Sequence, residues 1–211
     1  MRIAIGPLLV VTLALTACSG STTTPSSSTA TLTGNAADAV GDTVILPVLR
    51  NGVSVTPVVP TPPDLVSGTV TVSNGNLTAT IGFAPGTFSH ADSVACLMLD
   101  VDENAGTGNL PPGGDPPIGY DYSICAVNPR GSTRAQLSQL SGGLAPGIGS
   151  VDAMFPTSDS LRFTVPMSML GNDEGRMAFK VLSMQWVDAP VVNTAPIDWM
   201  PDLARPASLV R

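Results

Sequence analysis

Hydrophobic and polar residues alternate along much of this chain, with the period of two that is typical of half-buried β-strands. The clearest stretch, Val66–Phe83, contains Asn74-Gly75, a dipeptide that favours a type I′ hairpin turn. This turn predicts a register that places Val66 across from Phe83. Every second residue then lies on a core face, and these residues are Val66, Gly68, Val70, Val72, Leu77, Ala79, Ile81 and Phe83. Threonines occupy the opposite face, which we expect to be solvated.

Shorter alternating segments follow this hairpin and predict further strands. They are Ser132–Leu140, Ile148–Phe155, Leu161–Val165 and Arg176–Val187. Pro166–Gly171 predicts one short helical turn, because proline favours the first position of a helix and glycine its end. We interpret the tail, Pro196–Arg211, as a loop packed on a sheet.

The most informative hairpin joins two largely apolar strands, Ser93–Asp100 and Tyr120–Val127. An antiparallel register that sets Cys96 opposite Cys125 also sets Asp100 opposite Asp121. Facing carboxylates repel each other unless a cation lies between them. Since both faces of these strands are otherwise apolar, we expect this hairpin in the middle of a sheet.

Together these segments predict an all-β protein. They give eight or nine strands at short spacing without a β-α-β rhythm, and 20 prolines and 21 glycines disfavour long helices. We therefore predict a two-sheet antiparallel β-sandwich of the jelly-roll kind with one short helical turn. Residues 31–211 are enough for a single domain with a sizeable core.

The beginning of the chain carries an export signal. The apolar run Ile3–Leu15 is too short to cross a bilayer and is typical of a secretory signal. It leads into Leu-Thr-Ala-Cys, which resembles the lipobox of bacterial lipoproteins. We expect a signal peptide at 1–17, a lipid anchor on Cys18 and a flexible Ser/Thr-rich tether up to residue 30. An ordinary signal peptide with a chance cysteine is the alternative.

The predicted location is the cell envelope, facing the periplasm or the surface. An outer membrane is preferred, because Ser19 differs from the aspartate that retains some lipoproteins in an inner membrane. The net charge is −7, and no Lys or Arg lies between Arg50 and Arg130. Such a surface attracts cations, so we exclude nucleic acid as a partner. The sequence leaves the oligomeric state open.

Three cysteines divide between two roles. With Cys18 assigned to lipid, Cys96 and Cys125 remain as a pair in an oxidising compartment. Directly opposed strand residues are close enough for a disulfide. We predict that bond, with two buried free thiols as the alternative.

The loop of the central hairpin predicts a calcium site. Asp100, Asp102 and Asn104 place oxygen donors at every second residue, and calcium takes six to eight hard oxygen ligands. The loop is not an EF-hand, since Ala105 stands where that motif requires glycine. The predicted ligand set is Asp100, Asp102, Asn104, the carbonyl of Thr107, Asp115 and Asp121. Magnesium is less favoured because it needs stricter geometry, and a solvated acidic turn is the alternative.

Other acidic and aromatic residues have two interpretations each. Five aspartates could form a second metal site, although turn residues are the simpler interpretation; they are Asp38, Asp42, Asp64, Asp198 and Asp202. Trp186 and Trp199 are the only candidates for a platform that stacks on a sugar, and buried packing is the favoured interpretation of both. His90 lies in a Ser-His-Ala-Asp turn, and we expect it at the surface.

The order of several motifs resembles a known family. Asp38-x-x-Gly41-Asp42, then Pro63-Asp64-Leu65-Val66-Ser67, the Asp-x-Asp-x-Asn loop and Gly119-Tyr120-Asp121-Tyr122 are similar to DOMON-like sandwiches of the family 9 carbohydrate-binding type. The resemblance spans about Asp38 to Val187. It implies a jelly-roll-like sandwich, structural calcium and often binding to sugars or surfaces.

These observations predict a lipid-anchored, calcium-stabilised binding module that is not an enzyme, with polysaccharide as the ligand class. A structural or adhesion lipoprotein without a small ligand is the alternative. A glycan hydrolase is a more distant alternative, because carboxylates that bind a metal are not available for acid-base work. No Gly-x-Ser-x-Gly motif supports a serine hydrolase.

Overall fold

The computed structural model describes residues 30–44, 48–50, 53–55, 63–88, 93–109, 119–127, 134–140, 146–171, 174–186, 194–202 and 206–211. Cys18, His90, Asp115 and the predicted signal peptide and tether up to residue 29 lie outside these ranges. Among the described residues, no helix is long and apolar enough to span a membrane.

The described residues form thirteen strands and one 3₁₀ turn. The strands are β1 (Leu32–Ala37), β2 (Val48–Arg50), β3 (Val53–Val55), β4 (Leu65–Ser73), β5 (Asn76–Phe83), β6 (Ser93–Asp100), β7 (Tyr122–Val127), β8 (Arg134–Gln139), β9 (Gly147–Thr157), β10 (Ser160–Pro166), β11 (Met177–Trp186), β12 (Thr194–Met200) and β13 (Ser208–Val210). The 3₁₀ turn, Met167–Leu170, follows Pro166 and ends at Gly171 with φ 79°, which confirms the predicted helical turn.

Eleven of the described strands form one continuous antiparallel sheet. Its order is β1-β4-β5-β10-β9-β8-β7-β6-β11-β12, β13 also pairs with β11, and β2 and β3 form a separate hairpin. The sheet curls until β1 lies beside β13, where the Thr33 amide donates to the Arg211 carbonyl at 3.1 Å. The all-β class is therefore confirmed. The described strands are more numerous than the eight or nine predicted. In place of two packed sheets, eleven of them form one curled sheet, because strongly twisted sheets of about this size tend to curl.

The curled sheet encloses the larger of two apolar cores. Its members come from nearly every strand and include Leu65, Val70, Leu77, Ile81, Leu97, Leu99, Ile124, Leu137, Leu161, Phe163, Phe179 and Val181. A smaller core lies on the other face of β6 and β11 and includes Val94, Cys96, Tyr120, Leu140, Ala178, Leu182 and Trp199. Both faces of β6 are therefore covered, as predicted for a hairpin in the middle of a sheet.

The Asn74-Gly75 hairpin has its predicted register over most of its length. Both turn residues have positive φ, and Val72 pairs with Leu77. A β-bulge shifts the pairing before Ser67, so that Leu65 pairs with Phe83. The prediction that Val66 faces the core is therefore wrong: Leu65 is fully buried and Val66 is only partly covered.

The tail contains two strands that the alternation pattern missed. β12 and β13 both pair with β11, so the interpretation of Pro196–Arg211 as a loop is wrong. A proline and an aspartate interrupt the apolar pattern of β12, and such residues are tolerated because this strand ends the path of the sheet. β1 was missed for a similar reason, since Leu-Thr-Gly-Asn-Ala-Ala has no clear alternation.

Candidate metal centre

The central hairpin has the register that the sequence predicts. Cys96 lies opposite Cys125, Met98 opposite Ser123 and Leu99 opposite Tyr122. A disulfide joins the two cysteines, whose Cα atoms are 4.1 Å apart. The same register carries the two strands towards a common end at the acidic loop.

Three carboxylates meet at that end of the hairpin. Each of Asp100, Asp102 and Asp121 contributes an oxygen to a group in which all of these atoms lie within 4.8 Å of one another. Asp100 is only 3% exposed, Asp121 is half-buried and Asp102 is exposed. The predicted convergence of Asp100 and Asp121 is therefore present, and the loop adds a third acid.

Hydrogen bonds inside the loop hold these carboxylates in place. The Asn104 amide donates to Asp100 Oδ1 at 3.1 Å and to Asp102 Oδ1 at 2.9 Å. The Thr107 hydroxyl donates to Asp102 Oδ2 at 2.8 Å, and the Val101 amide donates to Asp121 Oδ2 at 2.9 Å. These bonds engage one oxygen each of Asp100 and Asp121 and both oxygens of Asp102.

Two glycines allow the loop to fold this tightly. Gly108 has φ 66°, and a Cβ there would collide with the carbonyl of Tyr120. A Cβ on Gly119 would collide with the carbonyls of Thr107 and Asn104. Only residues without a side chain fit at these two close approaches of backbone to backbone.

The remaining predicted ligands have other contacts in this structure. Asn104 Oδ1 accepts the amide of Gly106 at 3.0 Å, and the Thr107 carbonyl packs against Gly119. Asp115 lies outside the described residues. The loop thus brings Asp100, Asp102 and Asp121 together as ligand candidates, while Asn104 and Thr107 shape the loop around them.

The electrostatics of this group favour a bound cation at neutral pH. Burial, and then contact with the carboxylate of Asp102, raise the pKa of Asp100 to about 6. The Thr107 hydroxyl is the main cause of the lowered pKa of Asp102. Two carboxylates in hydrogen-bonding contact need either a shared proton or a cation between them. The donors are hard oxygens, which fit Ca²⁺.

A surface pocket adjoins the acidic loop. It has a volume of about 300 Å³ and is lined by Val101, Asp102, Gly108, Asp121, Tyr122, Gln139 and Leu140. Two of the three clustered acids therefore face both the candidate cation position and an open pocket.

A second acidic cluster lies elsewhere in the fold. Asp38, Asp42 and Asp202 form one group of three, and Asp42, Asp64 and Asp198 form another, each with ligand atoms within 4.8 Å of one another. Burial is the main cause that raises the pKa of Asp198 to about 7 and that of Asp38 to about 6. The five aspartates predicted as isolated turn residues or a second site are thus gathered in one place.

Trp199 does not present a face for stacking. It is 8% exposed and packs in the smaller core with Cys96 and Tyr120. Buried packing, the interpretation that the sequence favours for this residue, is therefore the one that the structure has. Trp186 lies on β11, and its side chain is outside the described part of the structure.

No family model matches this chain, and no curated protein matches it.

Stability of the metal-free protein should depend on pH through these raised pKa values. A carboxyl whose pKa is higher in the folded state binds more protons there, so the free energy of unfolding falls as pH rises through about 4 to 7. We expect a loss of about 2 kcal/mol between pH 5 and 7.5 in EDTA, measured by urea unfolding.

The matched variant for this pH effect is Asp100→Asn, which removes one titrating group from the acidic loop. It should reduce the loss in EDTA, and so should added calcium, because a bound cation favours the ionised carboxylates. A free energy of unfolding that stays constant or rises over this interval would contradict the assignment.

Proposed function

We propose that this protein is an exported, lipid-anchored, calcium-stabilised β-domain that acts as a non-catalytic binding module in the cell envelope. The observation that carries the proposal is the meeting of buried Asp100 with Asp102 and Asp121 at the end of a disulfide-bonded hairpin. The Leu-Thr-Ala-Cys sequence supports the lipid anchor on Cys18 and the attachment to a membrane.

Carbohydrate is the ligand class that the site supports best. The pocket of about 300 Å³ shares Asp102 and Asp121 with the candidate calcium position. Calcium that is held by few protein ligands keeps coordination positions open, and sugar hydroxyls are hard oxygen donors that suit them. The exposed amide of Gln139 adds a hydrogen-bonding group to the pocket wall.

A polysaccharide-binding assay on the full chain tests this function. We expect glycan-array binding in calcium that is lost in EDTA and reduced at least tenfold by Gln139→Ala, because the pocket loses its amide. Gln136→Ala is the matched control: this residue is exposed on the same strand and is not among those that line the pocket. Binding that persists in EDTA, or that Gln136→Ala weakens equally, would contradict the proposal.

One observation supports the structural alternative. Trp199 is buried, which removes one of the two tryptophans that could have stacked on a sugar. A surface or adhesion lipoprotein needs the calcium-stabilised fold and no pocket ligand. This alternative would be favoured if neither the unchanged chain nor Trp186→Ala binds on a glycan array while the melting temperature depends on calcium.

A further inference from the structure

The second acidic cluster, defined by Asp38, Asp42, Asp64, Asp198 and Asp202, gathers residues from both ends of the described chain. Asp38 and Asp42 follow β1, and Asp64 precedes β4. Asp198 lies on β12, and Asp202 follows that strand. The cluster thus lies where the first and last parts of the curled sheet come together.

Asp64 points to a ligand at this cluster. It is 5% exposed, and its Oδ2 accepts the amide of Gly41 at 2.9 Å. Its Oδ1 is buried and has no hydrogen-bond partner among the described residues. A buried carboxylate oxygen without a partner is costly unless a cation or a donor satisfies it. Oδ2 of Asp38 is also buried and has no hydrogen-bond partner among the described residues.

Among the residues that the structure describes, the cluster carries more negative than positive charge. Lys180 is fully buried nearby, and its ammonium donates to the carbonyl of Asp202 at 3.2 Å. It brings one positive charge against up to five negative ones. The Leu65 amide donates to Asp198 Oδ2 at 2.5 Å, and as a neutral donor it adds no positive charge to the cluster.

The cluster is separate from the acidic loop of the central hairpin. Strand β11 passes both, since Ala178 pairs with Asp100 and Ser183 pairs with Asp198. Five residues of extended strand correspond to about 17 Å. One cation cannot serve both groups.

We propose that Asp42, Asp64 and Asp198 bind a second divalent cation of the calcium class, with Asp38 and Asp202 beside them. Several carboxylates in one place suit calcium, whereas magnesium usually takes one or two and keeps its waters. The cation ties the segment after β1 and the residue before β4 to β12. The hydrogen bond from the Leu65 amide to the Asp198 carboxylate already joins β4 to β12. The cation adds a second connection between these two strands.

Calorimetric titration of calcium into the metal-stripped full chain tests this inference. We expect two calcium ions per chain. Asp64→Asn should leave one ion, bound at the acidic loop, and Asp102→Asn should leave one ion, bound at the second cluster. Asp152→Asn is the matched control, since this exposed carboxylate on β9 belongs to neither group and should leave both sites intact.

The outcomes separate this inference from the proposed function. A single ion that is lost in Asp102→Asn and kept in Asp64→Asn would overturn the second site and leave the loop site standing. A single ion with the reverse behaviour would support the second site and contradict the loop site. No bound calcium would overturn both.

Hydrogen exchange on the unchanged protein covers the case in which Asp64→Asn fails to fold. Calcium should slow exchange of the backbone amides of Leu65 and of β12, because they lie at the cation. Protection confined to the acidic loop and β6 would overturn the second site. Asp42→Asn, which lies outside any strand, provides a second variant for the titration.

Discussion

Calcium should raise the melting temperature of the metal-stripped protein by about 5 to 10 °C for each site when it is present at 100 times its Kd. A ligand that binds only the folded state contributes about 2.7 kcal/mol at that ratio, and 1 kcal/mol shifts the midpoint of a domain of this size by about 2 to 4 °C. EDTA should reverse the shift. Differential scanning calorimetry at several calcium concentrations measures it.

Two controls show where this stabilisation originates. Asp102→Asn should remove the part of the shift that belongs to the acidic loop, and Asp152→Asn should leave the whole shift in place. Magnesium at equal concentration should stabilise less, because it does not tolerate an irregular shell of carboxylates. A melting temperature that is the same in calcium and in EDTA would contradict both candidate sites.

Removing the disulfide should cost about 3.6 kcal/mol of the free energy of unfolding, or about 7 to 14 °C in melting temperature. Cys96 and Cys125 are 29 residues apart, and the bond restricts the unfolded chain over that whole loop. It also holds together β6, which ends at Asp100, and β7, which begins just after Asp121. Urea unfolding of the double variant Cys96→Ala/Cys125→Ala measures the loss.

Reduction of the unchanged protein is the control for this loss. If the loss comes from the cross-link, the reduced protein and the double variant should have the same free energy of unfolding within about 1 kcal/mol. The calcium affinity of both should fall together, since both loosen the end of the hairpin. A double variant as stable as the unchanged protein would show that the bond does not contribute to the free energy of unfolding.

The central hairpin was predictable because its constraints are local. One register sets Cys96 against Cys125 and brings Asp100 to Asp121, and the structure has that register and that bond. The Asn74-Gly75 turn is similar, since positive φ at both positions fixes the strands on either side. In both cases the sequence separation is short enough for period and turn chemistry to decide the pairing.

The second cluster depends on tertiary structure, and the sequence could not place it. Asp64 and Asp198 are far apart along the chain, and only the curling of the sheet brings β12 to the start of β4. The alternation of apolar and polar residues along a strand carries no information on how far the sheet curls. The sequence favours buried packing for Trp199, but the strand that buries it was missed, because β12 is defined by its pairing with β11.

The β-bulge at the start of β4 shows how a local irregularity changes a correct register. A single extra residue turned Leu65 to the core in place of Val66. It also brought the Leu65 amide to the carboxylate of Asp198. Bulges often redirect groups next to functional sites, and here the redirected amide lies at the second cluster.

A crystal structure of the protein determined in calcium is the decisive experiment, because it shows whether an ion lies between the acids at the end of the hairpin. We expect a cation bonded to Asp100, Asp102 and Asp121 at about 2.3 to 2.6 Å. The calcium site would be contradicted if a structure determined at saturating calcium shows only water between these three carboxylates, or shows their oxygens turned away from one another.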